Sequence, residues 1–201
     1  MVTAALTGRT LGAFLEGLRR PTGNPGGGAA GGVVAAVGAA LGTMVCAYTP
    51  DEPRARERAL ALDLLGDRLV AAAATDADAS EMLGAALALP DSPDRSPAVF
   101  AAATDACAAS AALGDLSLAL ARELREVADV GNRHLMSDLA VAADITAAGL
   151  GAAATNLRGG LTLAAAHGDA TALEAAYRAL VDALLTSRAE TRALADRLGE
   201  P

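Results

Sequence analysis

The stretch PGGGAAGGVVAAVGAALGTMVCAYT, residues 25–49, decides the fold, because none of its side chains is charged. Gly and Ala dominate it, and small side chains let neighbouring helices approach closely. Gly38 and Gly42 are about one helical turn apart, a spacing that suits close packing. Pro50 ends the stretch, since a proline inside a helix loses a hydrogen bond and clashes with the preceding turn. We predict a buried helix over residues 29–49.

The same stretch is long enough to cross a lipid bilayer, so a membrane span is the alternative to a buried helix. Insertion depends on large aliphatic side chains, and the stretch contains one Leu and no Ile or Phe. The first residues, MVTAALTGRTLGAF, lack the basic segment and sustained apolar run of a signal peptide. We therefore predict a soluble, cytoplasmic protein with no membrane partner.

The rest of the 201-residue chain has a similar composition. Hydrophobic residues make up 53% of the chain and aromatic residues only 2%. Ala and Leu favour helix, whereas strands prefer β-branched and aromatic residues. We predict an all-α fold, a single helical domain over residues 1–201. Besides the buried helix, its helices cover about residues 11–20, 54–89, 98–127, 133–157 and 170–198, with stops at a left-handed Gly131 and at Gly159-Gly160.

The charge balance excludes several classes of function. The chain has 16 basic and 24 acidic residues, a formal net charge of −8, and every basic residue is Arg. An acidic chain without an Arg cluster is a poor nucleic-acid binder, because phosphate contacts need a basic surface. The absence of Lys excludes Schiff-base chemistry and a Walker-type phosphate site. Cys46 and Cys107 are isolated in sequence, which predicts reduced core thiols and no metal site.

The first candidate site is the segment NPGGG, residues 24–28, just before the uncharged helix. Gly26, Gly27 and Gly28 would let backbone amides approach a ligand closely, and a helix N-terminus adds free N–H donors. A flexible turn is the alternative, although three ordered glycines would cost considerable conformational entropy there.

The second candidate site is the segment GNRHLMSD, residues 131–138. If a helix begins near its third residue, His134, Ser137 and Asp138 share one helical face. A His, a hydroxyl and a carboxylate on one face can exchange protons near neutral pH. The alternative is an ordinary helix start, in which Asn132 is the cap and Asp138 pairs with an Arg.

Several charged residues interrupt the Ala-rich helices and are further candidates. Asp76 and Asp78 lie mid-helix, where Asp is a poor helix former, and they indicate either a solvated face or acid/base groups in a cleft. Asp144 interrupts an apolar stretch, and a carboxylate buried there should be paired or functional. Arg158, which follows Asn156 near the end of that helix, could pair with Asp144, bind an acidic ligand or favour the helix C-terminus.

Three of these segments, taken in their order along the chain, resemble the cyclodeaminase/cyclohydrolase family. That family includes the cyclodeaminase domain of formiminotransferase-cyclodeaminase and bacterial methenyltetrahydrofolate cyclohydrolases. The resemblance rests on PGGG at residues 25–28 before a small-residue helix, DADA at residues 76–79, and the segment 131–138 with NLR at residues 156–158. It implies a bundle of long antiparallel helices that forms a homodimer, binds a folate in a cleft and needs no metal or redox cofactor.

The resemblance also implies a reaction and roles for single residues. One family reaction hydrolyses the methenyl bridge between N5 and N10 of tetrahydrofolate, and the other closes a formimino group onto N10 and releases ammonia. By position, Asp138 is the leading acid/base candidate, with His134 beside it and Asp76 as a second carboxylate. The implied substrate contacts are Gly26, Gly27, Gly28, Asn132, Ser137, Asn156 and Arg158.

Two other functions stay open. Family members commonly have Ser where this chain has Ala29, Lys in the segment after the second helix, and a small polar residue where this chain has His134. These differences favour a same-fold enzyme of specialised metabolism that forms or opens a nitrogen-containing ring on a non-folate substrate. The other alternative is a non-catalytic helical dimer that serves as a binding or scaffold subunit and tolerates changes at Asp138.

Overall fold

The computed structural model describes residues 8–21 and 23–200, and within them it contains six α-helices and no strand. The all-α prediction is therefore confirmed. The helices are α1 (Leu11–Leu18), α2 (Gly27–Ala47), α3 (Pro53–Leu87), α4 (Arg95–Val130), α5 (Met136–His167) and α6 (Thr171–Gly199), and a 3-10 turn, Arg133–Leu135, leads into α5.

The five long helices, α2 to α6, form an antiparallel bundle, because a short link joins each helix to the next. α2 packs between α3 and α5, α6 packs on α5, and α4 contacts all four of the others. One end of the bundle, which we name the Gly27 end, collects the first turns of α4 and α6 and the last turns of α3 and α5. α2 begins about three turns short of this end, level with Asp76 on α3 and Asn156 on α5. The opposite end, which we name the Asn132 end, carries the turn between α4 and α5.

Small residues set the spacing of α2 against its neighbours. A Cβ added to Gly31 would lie 2.5 Å from Ala152 Cβ, and one added to Gly38 would lie 2.6 Å from Thr146 Oγ1, both on α5. A Cβ added to Gly42 would lie 2.7 Å from a Leu side chain of α4. Real Cβ atoms do not approach other atoms so closely, so Gly31 and Gly38 leave no room for a larger residue, whereas a Cβ at Gly42 would displace the end of a Leu side chain. The close packing predicted from the spacing of Gly38 and Gly42 is confirmed.

The start of α2 differs from the prediction by two residues. The helix begins at Gly27 rather than at residue 29, with Gly26 as its N-cap in an extended conformation. Gly27 and Gly28 are therefore the first turn of the helix and not a loop in front of it. Their backbone N–H groups belong to the set that a helix leaves without internal partners.

The predicted stop of α5 at Gly159-Gly160 is wrong, because the helix continues to His167. The run LTLAAA, residues 161–166, keeps an apolar face on the helix, and Ala164 is fully buried. Gly160 serves close packing instead, since a Cβ added to it would lie 2.7 Å from the Sγ of Cys107.

The helix α4 ends before Gly131, close to the prediction, but the glycine is not left-handed. Its φ is −73° and its ψ is 168°, an extended conformation open to any residue. A Cβ on Gly131 would lie 2.8 Å from both Val45 Cγ1 and the carbonyl oxygen of Val127. Lack of space, rather than backbone conformation, is the reason for glycine here.

Many apolar side chains of the long helices pack in the interior of the bundle. Three stretches, Gly27–Ala47, Arg95–Val130 and Arg133–His167, are long and apolar enough to cross a membrane by length and composition alone. In the fold, 44% to 50% of the most apolar window of each is buried against other helices. Cys46 and Cys107 are buried free thiols, as predicted, and burial raises the pKa of each to about 11.

Candidate functional site

A cavity of about 370 Å³ opens at the Gly27 end of the bundle, and we name it the Asp76 cavity. Four helices meet around it, and Asp76 is the only ionisable side chain among the described residues that line it. Small and polar groups form much of the remaining wall, a composition suited to a polar ligand. The main contributors are Gly27 and Gly28 from α2, Asp76 and Ser80 from α3, Ser110 from α4 and Asn156 from α5.

Asp76 is almost fully buried, with 4% of its surface exposed. The hydroxyl of Ser110 donates a hydrogen bond to Oδ1 at 3.4 Å, and the backbone N–H of Ala29 donates another to the carboxylate. Burial raises the pKa of Asp76 above its ordinary value of 3.8, and the two hydrogen bonds oppose that rise without cancelling it. A carboxyl group of this kind can take up and release a proton nearer to neutral pH than an exposed Asp.

The absence of a side chain at Gly28 makes room for Asp76. A Cβ added to Gly28 would overlap both carboxylate oxygens. The carboxylate thus lies directly against the first turn of α2, where free N–H groups and the helix dipole favour negative charge. The glycines predicted to admit a ligand close to the backbone also admit the side chain of another helix.

Asn156, on α5, lines the same cavity as Asp76 and lies beside the start of α2. Its Nδ2 donates a hydrogen bond to the carbonyl oxygen of Ala152 at 3.0 Å, which holds the side chain along α5. A Cβ added to Gly27 would lie 3.8 Å from its Oδ1. That oxygen has no hydrogen-bond donor among residues 8–21 and 23–200, so it can accept one from a ligand.

The second candidate site, residues 131–138, lies at the Asn132 end of the bundle, and the side chain of Asn132 holds it in place. Its Nδ2 donates to the carbonyl oxygen of Tyr48 at 2.9 Å, and its Oδ1 accepts the backbone N–H of His134 at 2.9 Å. The side chain therefore caps the 3-10 turn and ties it to the end of α2. The structure confirms the alternative interpretation of Asn132 as a cap.

His134, Ser137 and Asp138 do not share the face of one helix, because α5 begins at Met136 and His134 belongs to the 3-10 turn. His134 and Ser137 are exposed and Asp138 is half-buried. No side-chain hydrogen bond joins the three within the described part of the chain. Asp138 and Asn156 are 18 residues apart on α5, or about 27 Å, so Asp138 does not reach the Asp76 cavity of its own chain.

The other charged candidates lie on the surface. Asp78 is exposed, which matches the solvated-face interpretation, while Asp76 two residues before it is buried. Asp144 is exposed as well. The prediction that it is a buried carboxylate, and therefore paired or functional, is wrong in its premise of burial. Arg158 is exposed and lies 14 residues from Asp144, about 21 Å along the helix, so the two cannot pair.

Sequence reasoning missed two residues near the site, Ser110 and Arg188. Ser110 lies in an Ala-rich segment of α4, and its contact with Asp76 arises only where α4 crosses α3. Arg188 lies on α6, whose alternating charges indicate a solvated surface, yet it lines a second cavity beside Asn156. No local pattern marks either residue, because each depends on packing between distant helices.

We expect the Asp76→Asn variant to be more stable than the natural protein at pH 8. The raised pKa means that the folded state prefers the protonated carboxyl, so folding loses stability as the pH rises from 3.8 through the raised pKa. The variant escapes that loss, and its Tm should be higher by on the order of 2–4 °C, the effect of about 1 kcal/mol in a domain of this size.

Thermal unfolding followed by circular dichroism from pH 4 to pH 8 measures this difference in Tm, which should shrink as the pH falls. Asp144→Asn is the matched control, because Asp144 is exposed and its Tm should stay within about 1 °C of the natural protein. An equal or lower Tm for Asp76→Asn at pH 8 would show that burying the ionised carboxylate costs no stability.

Comparison with known proteins agrees with this architecture. No curated protein matches the chain. Among solved structures, the formiminotetrahydrofolate cyclodeaminase of Thermotoga maritima is similar, with 25% sequence identity, a TM-score of 0.77, and coverage of 96% of this chain and 95% of that one. The sequence pattern of the formiminotransferase-cyclodeaminase family matches residues 10–164, which include α1 to α4 and most of α5. From this match and the fold, we conclude that the chain belongs to the formiminotransferase-cyclodeaminase family.

Proposed function

We propose that the chain is a folate enzyme that hydrolyses or closes the one-carbon bridge between N5 and N10, with Asp76 as its acid/base group. The observation that carries the proposal is the buried carboxyl of Asp76 in a cavity at the start of α2, in a member of this family. The family and the similar Thermotoga protein support folate one-carbon chemistry, and the choice between the two reactions is part of the proposal.

Both reactions pass through a tetrahedral carbon that bears two nitrogens. In hydrolysis, water adds to the bridge carbon and gives up one proton, which is then delivered to N5. The bond between that carbon and N5 breaks, and the proton of the new hydroxyl is released to solvent, which leaves a formyl group on N10. In cyclisation, N10 attacks the formimino carbon, its proton moves to the amino nitrogen, and ammonia leaves. Each of the two reactions needs one group that accepts a proton and returns it to a nitrogen.

Asp76 suits this task because of both its charge and its proton affinity. The methenyl bridge is an amidinium cation, so an ionised carboxylate beside it favours the bound cation. The raised pKa of Asp76 allows the same group to take the proton of the adding water and to deliver it to nitrogen. Asn156 Oδ1 and the backbone N–H groups of Gly27 and Gly28 are available to orient the ring atoms of the ligand.

Proton transfer and charge stabilisation complete both reactions, so the proposal invokes no metal or redox cofactor. Within residues 8–21 and 23–200, no group of three or more His, Cys, Asp or Glu side chains is arranged to hold a metal ion. We further propose that the enzyme acts in the cytoplasm on a small-molecule substrate, binds no nucleic acid and inserts in no membrane.

We also propose a homodimer formed through the outward face of α2. Val34 and Val37 are 37% and 50% exposed on this face, and Val141 on the neighbouring α5 is 52% exposed. No residue of α2 is charged. Exposed apolar side chains of this kind indicate an interaction site, and a second copy of the chain is the occupant that the family resemblance implies.

The geometry of α2 supports a role for the Asn132 end in such a dimer. Val37 is the middle residue of α2, so a two-fold axis there would pair each α2 antiparallel with its counterpart. The Gly27 end of one subunit would then face the Asn132 end of the other. In this arrangement Asp138 of the partner subunit, with the partner's His134 and the partner's Ser137, lies beside the Asp76 cavity and completes the site.

The near-ultraviolet absorbance of the methenyl bridge tests the proposed function. Hydrolysis of methenyltetrahydrofolate removes this absorbance, and cyclisation of formiminotetrahydrofolate creates it, so the two activities give opposite signals. We expect one of the two. If neither signal changes and calorimetry detects no binding of either folate, the folate proposal is overturned. Turnover of a cyclic amidine that lacks the pteridine would then support the specialised-metabolism alternative.

A further inference from the structure

A second cavity, of about 450 Å³, adjoins the Asp76 cavity on the side of α6. The two cavities share Gly27, Thr155 and Asn156 as lining residues. The floor of the second cavity consists of small residues of α5, and its far side is the Arg188 side chain from α6. An elongated ligand can therefore extend from Asp76 past Asn156 to Arg188.

The guanidinium of Arg188 lies against bare backbone. A Cβ added to Gly151 would lie 3.2 Å from its Nε and 3.3 Å from its Cζ, so the absence of a side chain lets the guanidinium rest on α5. None of the ion pairs among the described residues includes Arg188, and the side chain is exposed. Its planar set of N–H donors is free to bind a carboxylate in a bidentate manner.

We propose that Arg188 binds the glutamate carboxylate at the far end of the folate substrate, an inference that rests on the proposed function. The reacting bridge of the substrate lies at Asp76, and the aromatic ring that links it to the glutamate crosses the floor formed by Ala148, Gly151 and Ala152. Small residues there let a flat ring approach the helix closely. Arg188 is thus a binding residue that selects substrates with an acidic end.

The cavity beside α1 is a less suitable place for the acidic end. That cavity, of about 580 Å³, contains two cations, Arg9 and Arg20, but also the carboxylates of Glu16 and Glu81. Acidic side chains repel a ligand carboxylate. None of the residues lining it also lines the Asp76 cavity. Charge and continuity therefore both favour the cavity of Arg188.

Calorimetry with two ligands tests this proposal: methenyltetrahydrofolate and its analogue that lacks the glutamate, methenyltetrahydropteroate. Arg188→Gln should raise the Kd for the folate about tenfold, equivalent to about 1.4 kcal/mol, and leave the Kd for the glutamate-free analogue within about twofold. Arg192→Gln is the matched control, because Arg192 is exposed one turn further along α6 and lines neither cavity. It should bind both ligands as the natural protein does.

Each contrary result has a distinct meaning. Equal binding of the folate by Arg188→Gln and the natural protein, or an equal loss for both ligands, would overturn the role of Arg188 and leave the folate function in place. Failure of the natural protein to bind either ligand would overturn both proposals. Arg188→Lys adds a further readout, since it keeps the charge without the planar donors and should recover part of the lost affinity.

Discussion

Asp76→Asn is expected to reduce turnover of the methenyl or formimino folate by at least about 100-fold, the loss typical of removing a general acid/base group. Asn has the size of Asp, and its Oδ1 can still accept the hydrogen bond from Ser110. It cannot exchange a proton or offset the charge of the bridge. The measurement is the initial rate of the absorbance change at saturating substrate, with circular dichroism as the check on folding.

Asp115→Asn serves as the control for this experiment, because it makes the same chemical change at an exposed position of α4, outside both cavities and outside the proposed interface on α2 and α5. Its rate should match that of the natural protein. Turnover by Asp76→Asn within about twofold of the natural rate would remove Asp76 from the mechanism. The combination of a higher Tm and a lost rate is the expected signature of a residue kept for catalysis at the expense of stability.

Val37→Asp is expected to convert the proposed homodimer into monomers and to abolish turnover. At a two-fold axis each dimer contains the substitution twice, so two carboxylates would be buried close together without a partner. The dissociation constant should rise by at least about 100-fold. Size-exclusion chromatography with light scattering measures the change in mass. Met82→Asp is the control, since Met82 is 65% exposed and belongs to α3 rather than to α2 or α5, the helices of the proposed interface.

Mixing two inactive variants tests whether the site spans two subunits. Asp76→Asn and Asp138→Asn should each be inactive alone. A re-equilibrated equal mixture should recover about a quarter of the natural rate, because half of the dimers are mixed and each has one intact site. No recovery would show that the two carboxylates do not combine across subunits. An active Asp138→Asn protein would remove Asp138 from the mechanism.

The helices were predictable because their causes are local. Thr10 caps α1 by accepting the N–H of Ala13 at 3.2 Å, and Pro53 opens α3 at a position where proline is tolerated. Glycine was the exception. Gly131 and Gly160 look like helix stops in sequence, yet both are glycine because a neighbouring helix leaves no space for a Cβ. At these two glycines, the contact between helices leaves no mark on the sequence around it.

The candidate site was only partly predictable for the same reason. Asp76 and Asp144 both interrupt Ala-rich helices. The sequence left Asp76 open between a solvated face and a cleft and predicted burial for Asp144, yet Asp76 is the buried one and Asp144 is exposed. Leu or charged residues reveal which side of a helix faces the core, but Ala is tolerated on either side. A helix made largely of Ala and Gly therefore says little about which face is buried.

The sequence by itself determined the helical class, the approximate extent of every long helix except α5, and the family. These follow from helix propensity, from proline and capping residues, and from motifs in a given order. Tertiary structure alone decided that Asp76 is buried against Gly28, that Ser110 and Arg188 belong near it, and that Asp138 lies at the other end of the bundle. The physical reason is that burial and pKa depend on which helices cross at a point, and small side chains allow many crossings until the whole bundle packs.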